Sequence, residues 1–201
     1  MRKLISLLGA SLLVSTTAMA QTYLNVGAGL GFPNSSSATV NGSVTLNDAI
    51  SLKSGVFGQI GVGTDYDDKF RIEGSVARQG YSVDKVLGTS VAGSTEDVTS
   101  YMVNGYYDFK PSNPSSLTPY VMFGVGTSSV TSKSSGSETS QNSTTYQIGA
   151  GVSMKNSDKI TFDAGLRYMS IPNLSERDSS SNLIEWKSSA ILASVGVRVH
   201  I

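Results

Sequence analysis

Six charged residues recur on one face of alternating segments: Arg71, Glu73, Asp108, Asp163, Arg167 and Arg198. Three are cations and three are anions. Charges withdrawn from bulk water persist when they are paired and hydrogen-bonded. The set therefore suits either mutual neutralisation or a path for protons or ions. Nucleophilic hydrolysis needs a serine, a histidine and an orienting partner. The chain has a single histidine, His200, next to its last residue. One histidine without any cysteine does not make a zinc site. No catalytic residue, no metal site and no cofactor is expected. Gly27-x-Gly29-x-Gly31 has the look of a nucleotide loop, but that motif needs a strand before it and a helix after it. Here the glycines alternate within one strand pattern, which is a packing signal.

The elements that must position these charges are strands. Period-two alternation runs through Tyr23–Phe32, Gly55–Thr64, Lys69–Tyr81, Val98–Phe109, Pro119–Ser128, Tyr146–Lys155, Lys159–Met169 and Ser189–Ile201. One face of each is bulky and apolar; the other is mostly Gly, Ser, Asn, Gln and charge. Such a face is a poor dry core for a soluble protein. It fits the crowded interior of a narrow barrel whose apolar exterior meets lipid. Each segment is about the 9–11 residues that cross a bilayer when tilted. Connections alternate too. Asp65–Asp68, Lys110–Thr118 and Asn156–Asp158 are short, whereas Pro33–Ser54, Ser82–Asp97, Ser129–Thr145 and Ser170–Lys187 are long. The fold expected is all-β, an eight-stranded antiparallel up-and-down transmembrane β-barrel, with long loops on one rim.

Within that barrel Arg71 is placed to meet Asp108, Asp163 to meet Arg198, and Glu73 to meet Arg167 across the interior. The expected result is a salt-bridged plug. Aromatic bands are expected at both rims: Tyr66, Phe70, Tyr107 and Phe109 at the short turns, and Phe32, Tyr101, Tyr146, Tyr168 and Trp186 toward the long loops. From Thr127 to Thr145, 13 of 19 residues are Ser or Thr, which predicts a mobile, solvated loop.

The ends and the composition bound the rest. Arg2 and Lys3, the apolar run Leu4–Val14 and the small-x-small site Ala18-Met19-Ala20 read as a signal peptide, with cleavage between Ala20 and Gln21. Residues 21–201 then form one barrel domain. Fifteen basic residues balance fifteen acidic ones, which argues against a nucleic-acid partner.

Over Met102-Val103-Asn104-Gly105-Tyr106-Tyr107-Asp108-Phe109 and Leu117-Thr118-Pro119-Tyr120-Val121-Met122-Phe123-Gly124-Val125-Gly126, with Phe70-Arg71-Ile72-Glu73-Gly74 ahead of them, the chain resembles the small outer-membrane β-barrels of the OmpA/OmpX/Opa type, including alphaproteobacterial surface antigens and "porin family" proteins. Such barrels usually end in an aromatic residue; this chain ends in Ile201. The resemblance implies a bacterial outer-membrane location. Membrane lipid and lipopolysaccharide around the barrel and recognition by the barrel-assembly machinery go with that location, and the polar long loops suit adhesion, with host surface molecules as expected partners. The function expected is a non-catalytic surface barrel, structural or adhesive and exposed to immunity through four long extracellular loops. A small porin-like channel is the alternative, and a lipid-modifying enzyme comes third.

Overall fold

The computed structural model describes residues 21–67, 69–86, 88–90, 93–110, 117–134, 137–177 and 183–201. The proposed leader and Ala20 lie outside them. The elements are all strands: β1 (Gln21–Pro33), β2 (Ser36–Val40), β3 (Val44–Leu52), β4 (Gly55–Asp65), β5 (Phe70–Val86), β6 (Thr89–Ser90), β7 (Thr95–Asp108), β8 (Leu117–Ser134), β9 (Ser137–Lys155), β10 (Ile160–Arg177) and β11 (Leu183–His200).

Eight of these strands form a closed ring. β1 pairs β4, β4 pairs β5, β5 pairs β7, and antiparallel pairing continues through β8, β9 and β10 to β11. β11 then closes on β1, from Tyr23 opposite His200 to Pro33 opposite Ala190. The barrel continues to the last residue, since the Ile201 N–H donates to the Thr22 carbonyl at 2.9 Å.

Side chains sort by parity, as expected. Val195 is 65% exposed, Phe123 57% and Phe162 39%, so the apolar row faces outward. Arg71, Glu73, Asn104, Gln147 and Arg198 are buried on the inner row. The interior is narrow enough that large inner side chains need glycine opposite them. The Tyr120 ring lies over Gly151, its cross-strand partner, and over Gly165; a Cβ at either position would collide with the phenol. The short turns are held locally. The Asp67 carboxylate accepts the Lys69 and Phe70 N–H groups at 2.6 and 2.7 Å. Beside it, Phe70, Tyr107 and Phe109 stack edge-to-face at 5.1 and 4.9 Å, an aromatic band on that rim.

The structure differs from the sequence reading at the long-loop end. β8 and β9 pair without a break from Leu117 opposite Met154 to Ser134 opposite Ser137. The Ser/Thr-rich stretch expected to be a mobile loop is therefore mostly a hairpin. Its hydroxyls bond across the strands, Ser129 to Ser140 at 3.0 Å and Thr131 to Ser140 at 3.2 Å. The loop expected at Pro33–Ser54 is also a hairpin, β2 with β3, turning at Asn41 (φ 49°) and Gly42 (φ 66°). The Ser43 N–H donates to the Val40 carbonyl at 3.1 Å, so Asn41 and Gly42 are the central residues of a tight turn within a three-residue connection between the paired Val40 and Val44. This hairpin seats between β11 and the far end of β5, carrying the wall upward. Trp186, expected in the lipid-facing band, instead packs against an inner apolar cluster.

Ile60 lies at the middle of β4 and is 62% exposed toward lipid. Replacing Ile60 with Arg is expected to cost about 2–4 kcal/mol, the price of a cation near the bilayer midplane. Equilibrium refolding into phospholipid vesicles measures it.

Candidate functional site

The interior is built in two storeys. The lower one, at the short-turn end, holds charges. Arg71 from β5 donates to Asp108 of β7 through two nitrogens, at 2.7 and 2.8 Å. Its guanidinium also lies 4.3 Å from the centre of the Tyr106 ring. Arg198 of β11 donates to Asp163 of β10 at 2.7 and 3.1 Å and to the Ser153 hydroxyl at 2.9 Å. Fork-to-carboxylate geometry of this kind makes strong hydrogen bonds and fixes the register of neighbouring strands.

Glu73 and Arg167 do not meet. Glu73 accepts from the Asn25 amide at 2.9 Å and the Tyr106 hydroxyl at 3.1 Å. Arg167 donates to Gln59 at 2.5 Å and lies 5.1 Å over the Phe57 ring. Tyr106 and Asn25 reach Glu73 from its near neighbours, so both charges are solvated by polar side chains instead of by each other. Asp65, read in the sequence as a turn residue, adds a further acid. It shares the inner face with Gly63 and takes His200 at 3.1 Å, with an Arg198 nitrogen at 3.9 Å. His200 thus sits at the short-turn mouth against a carboxylate, and among the described residues no serine hydrogen-bonds to it. Between Asn25, Gln59, Arg71, Tyr120, Asp163 and Arg167 remains a cavity of about 30 Å³.

The upper storey was not legible as a core. Phe57, Tyr81, Val98, Val130, Met169, Ile171, Leu174, Ala190 and Leu192 form a buried apolar cluster, with Leu52 and Trp186 against it. Its floor is a small polar layer in which Ser128 bonds Ser100 at 2.7 Å and Thr145 at 2.6 Å. The only signal in the sequence is a scatter of single apolar residues in hydroxyl-rich stretches. Above the cluster, Glu96 of β7 is 7% exposed and lies opposite Tyr81. This position is beyond the segment read as crossing the bilayer, Val98–Phe109. Burial pushes the Glu96 carboxyl up to about 7.

Two measurements test these assignments. Arg71→Ala strands a buried Asp108 and is expected to cost about 3–5 kcal/mol in refolding, whereas Arg71→Met with Asp108→Leu recovers most of it. Glu96 binds its proton more tightly folded than unfolded, so its ionisation cost is present above pH about 7 and is relieved as pH falls. The thermal midpoint of the wild type, compared with Glu96→Gln, is expected to rise between pH 8 and pH 5.

The chain matches the outer membrane protein beta-barrel domain over residues 6–198. It is 30% identical over 160 residues to outer membrane protein PagN of Salmonella typhimurium, covering 68% of this chain and 65% of PagN. The match thus spans just under two thirds of that relative. Among solved structures it is similar to the outer membrane protein OprG from Pseudomonas aeruginosa, with TM-score 0.66 and 16% identity over 91% of this chain and 97% of that one. It is also similar to Neisserial surface protein A, with TM-score 0.60 and 20% identity over 90% and 97% of the two chains. At these identities the likeness is one of fold. A closed ring of eight lipid-facing strands, a filled interior and a family match across nearly the whole length place this chain in the outer membrane protein β-barrel family, in the bacterial outer membrane.

Proposed function

We propose that this protein is a non-catalytic surface barrel, which meets its partners through its extracellular wall and rim and carries no solute through its interior. The observation that supports this most directly is the size of the interior cavity. About 30 Å³ holds a water molecule or two. The apolar cluster stands above it and the Arg71–Asp108 and Arg198–Asp163 pairs beside it. A conducting path would have to break buried ion pairs and wet an apolar core. An enzyme reading has His200 at the short-turn mouth on Asp65, on the periplasmic side, far from outer-leaflet lipid.

In this reading the six lumen charges Arg71, Glu73, Asp108, Asp163, Arg167 and Arg198 are structural. The leader is removed between Ala20 and Gln21. The exposed apolar belt faces membrane lipid and lipopolysaccharide, and the assembly machinery receives the last strand with its terminal Ile201. The rim offers hydroxyls and alternating charge, with Lys53 near Asp84 and Lys133 between Asp97 and Glu138. These suit polar host surface molecules.

Planar-bilayer recording is expected to show no stable large conductance; a reproducible one would overturn the filled interior. Orientation is tested in a chain that has no native cysteine. On intact cells a membrane-impermeant maleimide is expected to label Thr89→Cys and to reach Asp158→Cys only after the outer membrane is permeabilised. The reverse pattern would invert the topology.

A further inference from the structure

Packing of the barrel leaves one trough in the lipid-facing wall unexplained. Inward glycines such as Gly151 make room for a ring. Gly74 of β5 instead lies on the outward row, between Ile72 and Val76. A Cβ there would meet its nearest atom, the Val62 carbonyl oxygen across the strand, only at 4.0 Å. Val62 of β4 and Val103 of β7 stand opposite it. Ile60, Val76, Tyr101 and Val125 complete the rim, so bare backbone forms the floor of an apolar trough.

The end of the trough nearer the long-loop rim is cationic. Arg78 is the second residue beyond Val76 on the same face of β5, and its side chain is 71% exposed. It stands opposite Gly58 of β4 and Thr99 of β7, so no large side chain crowds the guanidinium. Its contact with Asp97, at 3.4 Å, takes one of its five N–H donors. Asp97 is shared with Lys133 of β8 at 3.8 Å, and Lys133 lies 3.9 Å from Glu138. These long contacts saturate neither cation. Beside them, Ser129 and Thr131 of β8 stand opposite Thr99 and Asp97 on the same outer face. Along the wall the surface therefore runs from apolar to cationic to hydroxyl-bearing.

We infer that this wall is a binding site for lipopolysaccharide: an acyl chain of its lipid A portion lies in the trough at Gly74 and a phosphate of the same lipid binds Arg78. Acyl chain, phosphate and sugar follow one another in this glycolipid in the order that the wall offers partners for them. Arg78 and Gly74 lie about 13 Å apart along one strand at about 3.3 Å per residue, less than the roughly 15 Å of hydrocarbon in one leaflet, so one lipid reaches both. Arginine suits the role because its fork binds phosphate through two N–H groups at once. The inference deepens the surface-barrel reading and rests on it for one point, that the long-loop rim faces the outer leaflet.

The purified barrel in neutral detergent is titrated with lipid A, and in parallel with phosphatidylglycerol, and bound lipid is counted by native mass spectrometry. Lipid A is expected to bind saturably and about tenfold more tightly than phosphatidylglycerol. Arg78→Gln is expected to weaken lipid A by about tenfold, the loss of one charge-assisted hydrogen bond. Gly74→Leu fills the trough without touching the interior and is expected to weaken it by roughly fivefold, through lost dispersion contacts. Lys187→Gln, which removes an exposed cation of β11, is expected to bind as the wild type does. Equal affinity for the two lipids, an unaltered lipid A affinity in Arg78→Gln or in Gly74→Leu, or the same loss in Lys187→Gln would each remove the site. Because purified protein is used, these outcomes do not depend on the maleimide labelling that tests orientation.

Discussion

Hydrocarbon offers no hydrogen bonds. Every backbone N–H and C=O at that depth must find its partner within the sheet, and a sheet satisfies all of them only when its first and last strands meet. The pairing of β1 with β11, from Tyr23–His200 to Pro33–Ala190, is therefore the contact on which the rest depends. Closure at eight strands makes the interior narrow. Alternation then gives each strand one row for lipid and one row for that confined space. Tyr120 over Gly151 and Gly165 shows how tightly the space is shared.

What fills the lower interior follows from that confinement. A charge there has little water, so it must be neutralised by a neighbour or surrounded by polar groups. Arg71–Asp108 and Arg198–Asp163 do the first; Glu73 and Arg167 do the second. Replacing a buried ion pair by apolar groups of similar volume is often neutral or stabilising, whereas removing one partner is severe. In the reading we propose, the pairs act less as a source of stability than as a penalty on wrong register. Arg71 meets Asp108 only if β5 and β7 are aligned as they are.

The existence of the eight barrel strands, the face of each and the alternation of short and long connections were legible because they follow from local parity and spacing. Pairing across the interior was not. Glu73 and Arg167 share a face and opposite charge, but Asn25 and Tyr106 reach Glu73 first, and parity says nothing about reach. Asp65 was hidden by its place beside a turn, although it lies two residues from the inward Gly63. The extent of the strands was obscured by composition. Ser and Thr read as solvated loop, while as paired strands they bond to one another. Asn41-Gly42, set between Val40 and Val44, was an available hairpin signal inside a stretch read as loop.

The strands also outgrow the membrane, and this changes which face must be greasy. β8 has 18 residues; at about 3.3 Å per residue and a tilt of about 45° it rises roughly 42 Å, against about 30 Å of hydrocarbon. Beyond the bilayer, lipid no longer rewards an apolar exterior, and an open polar interior would leave the wall without a core. The alternation inverts accordingly. Within the membrane β8 turns Val121, Phe123 and Val125 outward; above it Thr131 and Lys133 point outward and Val130 inward. β5 passes from outward Ile72 and Val76 to Arg78, with Tyr81 turned in, and β10 passes from outward Leu166 and Tyr168 to Ser170, with Ile171 turned in. Val130, Ile171 and Leu174, with Trp186 against the same cluster, thus give the projecting wall a core of its own where lipid no longer covers it.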